Sequence, residues 1–267
     1  LRAPSSDSHA PLHALPSCLP LPLAATPCAG LPDVGLLFLM PGLYCASVVM
    51  RRAAQLLFWQ LPPGLSRVRA IESWIHDSIY YLPGFSNSTT TAQEVFVQRA
   101  GVCRDFAHLG ITMCRALNIP ARLVVGYVHF AEPPEDFHAV FEAWLDGRWV
   151  IFDPTRMAPI DRLVRVGTGR DAKDVAFATI FGSVRSQAPV IHAFAVEDAS
   201  SGMLLPYHCC EARSTEPGRT TGGIGRSRFN QRSWDECRGR DGGGGRAWRD
   251  GGCGGERGTQ RHGRRRG

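Results

Sequence analysis

Lysine is almost absent from this chain of 267 residues: Lys173 stands alone, and the other basic residues are arginine. The skew reads as coding bias rather than chemistry. Long apolar runs are absent too. A bilayer-spanning helix needs about 20 predominantly apolar residues. Val34 to Met50 comes nearest, and Pro41 and Gly42 break it, so no membrane partner is expected. A secretory leader needs a basic start, a compact apolar core and a small-residue cleavage site. Leu19 to Ala25 is interrupted by Pro20 and Pro22, and a cytoplasmic chain is expected rather than a secreted one. The nine cysteines contain no C-x-x-C pair and no even spacing. That pattern fits neither a zinc site nor a disulfide framework, and it leaves free thiols in a reducing compartment. A calcium loop of the D-x-[DN]-x-[DN]-G type is also missing, as is any internal repeat.

What is present is unevenly spread. Residues 211–267 hold 16 of the 29 glycines, with 14 arginines against 7 acidic side chains. The first 210 residues are therefore close to neutral. The chain's basic character belongs to its tail and says nothing about nucleic acid binding by the folded part. A Gly/Arg-rich stretch buries too little apolar surface to order itself. Residues 183–267 are accordingly expected to be a disordered tail, and residues 1–33, rich in Pro, Ala and Leu, a disordered or non-native leader. Residues 34–182 remain as one foldable domain, long enough for a single hydrophobic core.

Within 34–182 the pattern predicts helices first. Gly35–Met40 reads as a short buried strand ending at Pro41. Ala53–Trp59 reads as a helix. Ser66 caps a further helix to about Tyr80, whose apolar Val68, Ile71, Trp74, Ile75 and Ile79 recur at steps of three and four. A short helix ends at Gln98, broken by Gly101. The next starts near Cys103 and runs to Leu117, before Asn118-Ile119-Pro120. It is apolar nearly all round, the mark of a buried central helix. Three strands follow: Arg122–Phe130, Phe137–Leu145 and Arg148–Phe152. Asp146-Gly147 between the last two is a hairpin signal. Val190–Val196 reads as a last strand. Helices followed by antiparallel strands define an α+β domain.

Three residues carry the chemistry: Cys103, His138 and Asp153. A helix N-terminus favours a thiolate through its unpaired N–H groups and dipole, and Cys103 is expected there. Cys114 lies inside the same helix and reads as a small buried hydrophobe. If Asp146-Gly147 is a two-residue turn, Leu145 pairs with Arg148 and Asp153 falls opposite Val140. His138 then lies two residues along on the same face. Diagonal neighbours sit about 7–8 Å apart at the backbone, so imidazole and carboxylate meet. A one-residue slip would put them on opposite faces. Nucleophile, base and orienting acid together perform acyl transfer. The Cys103 backbone N–H is a plausible oxyanion donor.

Thr89-Thr90-Thr91-Ala92 and Arg99-Ala100-Gly101-Val102-Cys103-Arg104-Asp105-Phe106-Ala107-His108-Leu109 resemble the nucleophile segment of the transglutaminase-like superfamily. Phe137-His138-Ala139-Val140-Phe141-Glu142-Ala143-Trp144 resembles its base strand, and Gly147-Arg148-Trp149-Val150-Ile151-Phe152-Asp153-Pro154-Thr155 its acid strand. Spacings of 35 and 15 residues fit. The resemblance covers about residues 36–182 and is closest to the bacterial transglutaminase-like cysteine peptidase branch. It implies a papain-like core with Cys103 on a central helix and His138 and Asp153 on an antiparallel sheet. It implies catalytic roles for those three residues. Members of this branch carry a β-rich upstream region, expected here to be missing or reduced to Leu36–Cys45.

The other candidates read as structural. Positions five apart on a helix point about 140° from each other, so His108 is a core histidine rather than the base for Cys103. Asp105 complements the helix dipole. Glu142 shares the His138 face, as a tuning group or a solvated one. Trp144 and Trp149 belong to the core or sheet surface ahead of a cleft. No cofactor or metal is implied. The expected partner is a protein or peptide amide substrate, with hydrolysis favoured over amine transfer. The competing expectations are an inactive transglutaminase-like binding module, and RNA binding by the tail through Trp234, Trp248 and Arg264–Arg266. Oligomeric state stays open.

Overall fold

The computed structural model describes residues 17–18, 33–130, 136–176, 178, 181–183, 185, 187, 190–193 and 212–214. The chain divides into two units, residues 1–221 and 222–267, and every described residue lies in the first.

Residues 33–40 correct the sequence reading. They form a helix, α1 (Asp33–Leu37), followed by a turn. Phe38, Leu39 and Met40 each donate an N–H to the carbonyl three residues back. A short apolar run does not distinguish strand from helix, and here Phe38 alone among its large side chains is buried while Leu36 and Leu37 face outward. Helix α2 (Ser47–Phe58) begins six residues ahead of the expected start and buries Ser47, Met50, Ala54 and Phe58, steps of three and four. Helix α3 (Leu65–Ser78) buries Arg67, Val68, Ile71 and Ile75. Ser66 is not its cap. It lies within the first turn, and Gly64, at φ 100°, takes the cap position. The Arg67 guanidinium donates to the carbonyls of Trp59 and Leu61. It thereby fixes the α2–α3 corner, because carbonyls at a helix end have no partner within the helix.

Helix α4 (Ala92–Gln98) opens with a capping box: Glu94 N–H donates to Thr91 Oγ1, and Thr91 N–H to the Glu94 carboxylate. It ends at Arg99, which adopts the left-handed conformation (φ 61°). The break thus comes two residues before Gly101. Helix α5 (Cys103–Ala116) follows and runs through the centre, with every residue from Asp105 to Ala116 buried.

Among the described residues six strands build one antiparallel sheet: β1 (Ser17–Cys18), β4 (Ala121–Tyr127), β5 (Phe137–Leu145), β6 (Arg148–Phe152), β7 (Val164–Gly169) and β8 (Arg213–Ser214). Their order across the sheet is β1–β8–β6–β5–β4–β7. A separate parallel pair joins β2 (Tyr80–Tyr81) to β3 (Ala100–Gly101). The hairpin register is the expected one. Leu145 faces Arg148 and Phe141 faces Phe152, with Asp146 and Gly147 both at positive φ, as a type I′ turn requires. Sequence periodicity missed β7, because the alternation of Val164-Arg165-Val166 stops at Gly167-Thr168-Gly169. Its residues pair with β4 across a bulge at Val125/Gly126. Gly126 is obligatory there, since a Cβ would sit 2.4 Å from the Val164 carbonyl oxygen. Strands β1 and β8 fall in the segments assigned to leader and tail. Arg213 pairs with Ile151 and covers what would otherwise be an open sheet edge. Of the expected strand Val190–Val196, residues 190–193 are not strand, and the rest lies outside the described residues, as do Trp234, Trp248 and Arg264–Arg266.

The odd-numbered face of β5 packs on α5. Phe141 stacks on Phe152 at 5.3 Å between ring centroids. A Cβ on Gly110 would come within 2.6 Å of the Phe141 ring, so the absent side chain sets the helix–sheet spacing. The even-numbered face holds a smaller cluster of Val124, Val140, Ile151, Ala158 and Leu163. The fold is α+β, a central helix on an antiparallel sheet.

Candidate active site

The N-terminus of α5 is built by three residues. Asp105 is fully buried, and its Oδ2 accepts the Val102 N–H at 2.9 Å. Its Oδ1 receives Arg104 at 2.8 Å. The carboxylate so close to the helix start also meets the dipole's positive end. Gly101 makes room, because a Cβ there would lie 2.8 Å from the Asp105 Cβ. Arg104 reaches on to the Asn87 carbonyl at 2.7 Å and ties the polar 86–91 loop to the helix. The outcome is a rigid first turn that carries Cys103, partly exposed, as its first residue.

The strands supply the partners. His138 and Asp153 are both buried, and His138 Nε2 lies 2.8 Å from Asp153 Oδ2. The other carboxylate oxygen, Oδ1, accepts from the Thr155 N–H at 2.9 Å and the Thr155 hydroxyl at 2.7 Å. Phe130 packs edge-on to the imidazole, with ring centroids 5.5 Å apart. Burial opposes a charge on His138, but the Asp153 carboxylate and the hydrogen-bonded Cys103 side chain outweigh it and raise the imidazole to about 10. Burial pushes Asp153 up, and the His138 and Thr155 bonds win, holding it below the usual carboxylate range. The geometry therefore brings Cys103, His138 and Asp153 together, with the imidazole between a sulfur and a carboxylate.

Two residues that sequence reasoning did not single out join them. The Tyr81 hydroxyl accepts a hydrogen bond from the Cys103 backbone, and burial, ahead of the nearby Cys103, lifts that phenol to about 12. Only the β2–β3 pairing, Tyr81 beside Gly101, puts it there. No local pattern announces a contact made by two strands of two residues each. Glu72, on α3, accepts the Asp153 N–H at 3.0 Å. Its one sequence signal is a charged position bordering the Val68–Ile71–Ile75 stripe.

The remaining candidates lie apart from the trio. His108 is fully buried, stacks on Tyr44 at 5.2 Å, and accepts the Ala172 N–H on Nε2 at 3.1 Å. Burial, then Arg104 and Arg115, lower it to about 3, so it stays a neutral core histidine. Glu142 pairs with Arg122 at 2.6 Å. Trp144 and Trp149 face each other across the hairpin, and Trp149 packs on Phe38 and under Arg122. Cys45 and Cys114 are buried free thiols, with burial pushing Cys45 up to about 12 and Cys114 higher still. A hollow of about 630 Å³ lies by Leu56, Trp74, Phe96 and Arg99, away from Cys103. Its lining holds the Ser78 hydroxyl but no histidine or carboxylate to activate it.

A helix-borne thiol facing a His–Asp pair on an antiparallel sheet defines a papain-like class of protein. The chain belongs to the transglutaminase-like superfamily, whose family model matches residues 52–154. That is a superfamily of thiol enzymes. The structure is similar to that of the "Putative Cysteine Protease" of Cytophaga hutchinsonii, with a TM-score of 0.63 and 40% identity, covering 72% of this chain and 66% of that one. Among curated proteins, an uncharacterized protein of Mycobacterium leprae is 36% identical over 120 residues, 41% of this chain and 42% of its own. One of Mycobacterium tuberculosis is 35% identical over 127 residues, 42% of this chain and 40% of its own. The chain spans about two fifths of the length of these curated relatives.

Proposed function

We propose that the chain is a thiol hydrolase of amide bonds in a protein or peptide, working through Cys103, His138 and Asp153. The observation that carries this reading is the placing of His138, 2.8 Å from the Asp153 carboxylate and hydrogen-bonded to Cys103, contacts that raise the imidazole. A histidine held protonated beside a cysteine sustains a thiolate–imidazolium pair, the reactive form of such a site. The thiolate sulfur attacks the amide carbon, and the carbonyl electrons move to oxygen. The oxyanion collapses, the C–N bond breaks, and His138 delivers its proton to the departing amine. A thioester remains on Cys103. Water attacks it, His138 takes the water's proton, and the acid and the thiolate are released. An amine in place of water gives transamidation by the same steps. Asp153 fixes the imidazole's tautomer and orientation throughout.

The oxyanion is met by the Tyr81 O–H and by the Cys103 N–H, which leaves the Tyr81 oxygen it rests on when the substrate oxygen arrives. Cys45, Cys103 and Cys114 are all free, in keeping with a cytoplasmic setting. Among the described residues, no helix is long and apolar enough to cross a membrane.

The test is the pH dependence of iodoacetamide alkylation at each cysteine, read by peptide mass spectrometry. Cys103 is expected to react fast below about pH 7, where a free thiol with a pKa near 8.5 is protonated. His138→Ala should remove that advantage. If Cys103 reacts no faster than Cys237 or Cys253, no thiolate pair is assembled and the binding-module reading replaces the enzyme.

A further inference from the structure

The Asp153–Arg156 segment is gripped from one side by a single helix. Glu72 Oε1 accepts the Asp153 N–H at 3.0 Å. One turn on, His76 Nδ1 lies 3.2 Å from the Pro154 carbonyl oxygen. Ser73 Oγ accepts from the Arg156 guanidinium at 2.9 Å. Residues 72, 73 and 76 share one face of α3 by helical spacing. The segment they hold is tightly shaped: the Asp153 carboxylate accepts from both the backbone N–H and the hydroxyl of Thr155, and Arg156 sits at a positive φ of 53°.

A single backbone N–H needs an acceptor, not a charge. A hydroxyl or an amide would serve, yet the position holds a carboxyl beside the anion of Asp153. Burial, first of all, lifts Glu72 to about 7. Arg156 and Arg69 oppose the rise, and Asp153 adds to it. A carboxyl with a strongly shifted pKa, in contact with a candidate catalytic acid, is a candidate functional position.

We infer that Glu72 is a positioning residue, and that α3, through Glu72 and His76, clamps the Asp153–Pro154 backbone so that the Asp153 carboxylate is aimed at His138. The inference rests on the reading of Asp153 as the orienting acid. It assigns a role in the site to α3, which the His138 and Asp153 strands alone leave without one. Thr155 fixes the inner oxygen of the Asp153 carboxylate, and α3 fixes the backbone from which it hangs.

The experiment follows the His138 ring by NMR from about pH 6 to 11, in the intact chain and three variants. In Glu72→Ala the acceptor is lost, and the His138 titration is expected to fall by about one pH unit, a tenfold loss of proton affinity. Glu72→Gln keeps the accepting oxygen without the charge and should restore most of that shift. His76→Ala should move His138 in the same direction by a few tenths of a unit, and it decides the matter if Glu72→Ala does not fold. Equal shifts in Glu72→Ala and Glu72→Gln would mean that Glu72 acts by charge alone, and would overturn the clamp. A lower melting temperature with an unmoved His138 titration would overturn it too. Cys103 alkylation is measured on the same samples. An ordinary Cys103 rate in the unsubstituted chain sinks the enzyme reading, while the change in the His138 titration between chain and variants, in which Cys103 is unaltered, still tests Glu72 independently.

Discussion

Tyr81 shows what one side chain adds at the residue scale. Its hydroxyl takes the Cys103 N–H in the resting site. In the proposed mechanism the same hydroxyl turns donor when negative charge appears on a substrate oxygen. Oxyanion donors of this kind are each worth about 10²–10³ in turnover. Tyr81→Phe should therefore cut turnover of an amide or ester substrate by about a hundredfold to a thousandfold, in kcat rather than KM, and leave the Cys103 alkylation profile in place. Equal loss of alkylation would make Tyr81 part of the thiolate pair instead. Cys45 and Cys114 illustrate the converse. They are the same residue type, but burial raises both thiols and keeps them from being nucleophiles at neutral pH.

Helix α5 and the β5–β6 hairpin are the elements that hold the site. They meet where Gly110 lies against the Phe141 ring. Alanine is the better helix former by about 1 kcal/mol, so intrinsic propensity alone predicts that Gly110→Ala stabilises. The packing predicts the reverse. The new methyl group has to push a buried ring that is already stacked on Phe152, and overpacking of this kind costs about 1–3 kcal/mol. Gly110→Ala should lower the denaturation midpoint in urea, and a raised midpoint would show that the interface yields easily. The hairpin is legible in the sequence, because Asp146-Gly147 leaves few registers and each one-residue mispairing turns every side chain to the wrong face. Strand β7 is not, because its glycines carry no periodicity and its place depends on the bulge in β4.

At the scale of the whole molecule, the buried His138–Asp153 pair ties stability to pH. His138 has a folded value of about 10, above the unfolded value near 6.5. Its contribution is complete below about pH 6.5 and is lost as pH rises through about 10. Asp153 is depressed. Its contribution is present above about pH 4 and is lost as pH falls through its lowered value. Glu72, raised to about 7, runs the other way and subtracts stability as it ionises between about pH 4.5 and 7. The melting temperature of the unsubstituted chain should therefore fall more steeply between about pH 7 and 10 than that of His138→Gln. Calorimetry across that range checks it, and parallel curves would exclude a buried ion pair.

The sequence by itself determined the order of helices and strands around the site, the central helix from Cys103, the register that brings His138 to Asp153, and the family resemblance. Each of these depends on local patterning: a periodicity, a turn dipeptide or a motif, set by residues close together in the chain. The tertiary structure alone decided that Gly35–Met40 is helix and turn. It alone paired Arg213 with Ile151, moved Tyr81 to the Cys103 backbone, and laid Glu72 and His76 against the acid strand. Those contacts join residues between about 20 and 80 positions apart. Their energy exists only once the chain is closed on itself, and no window of sequence contains both partners.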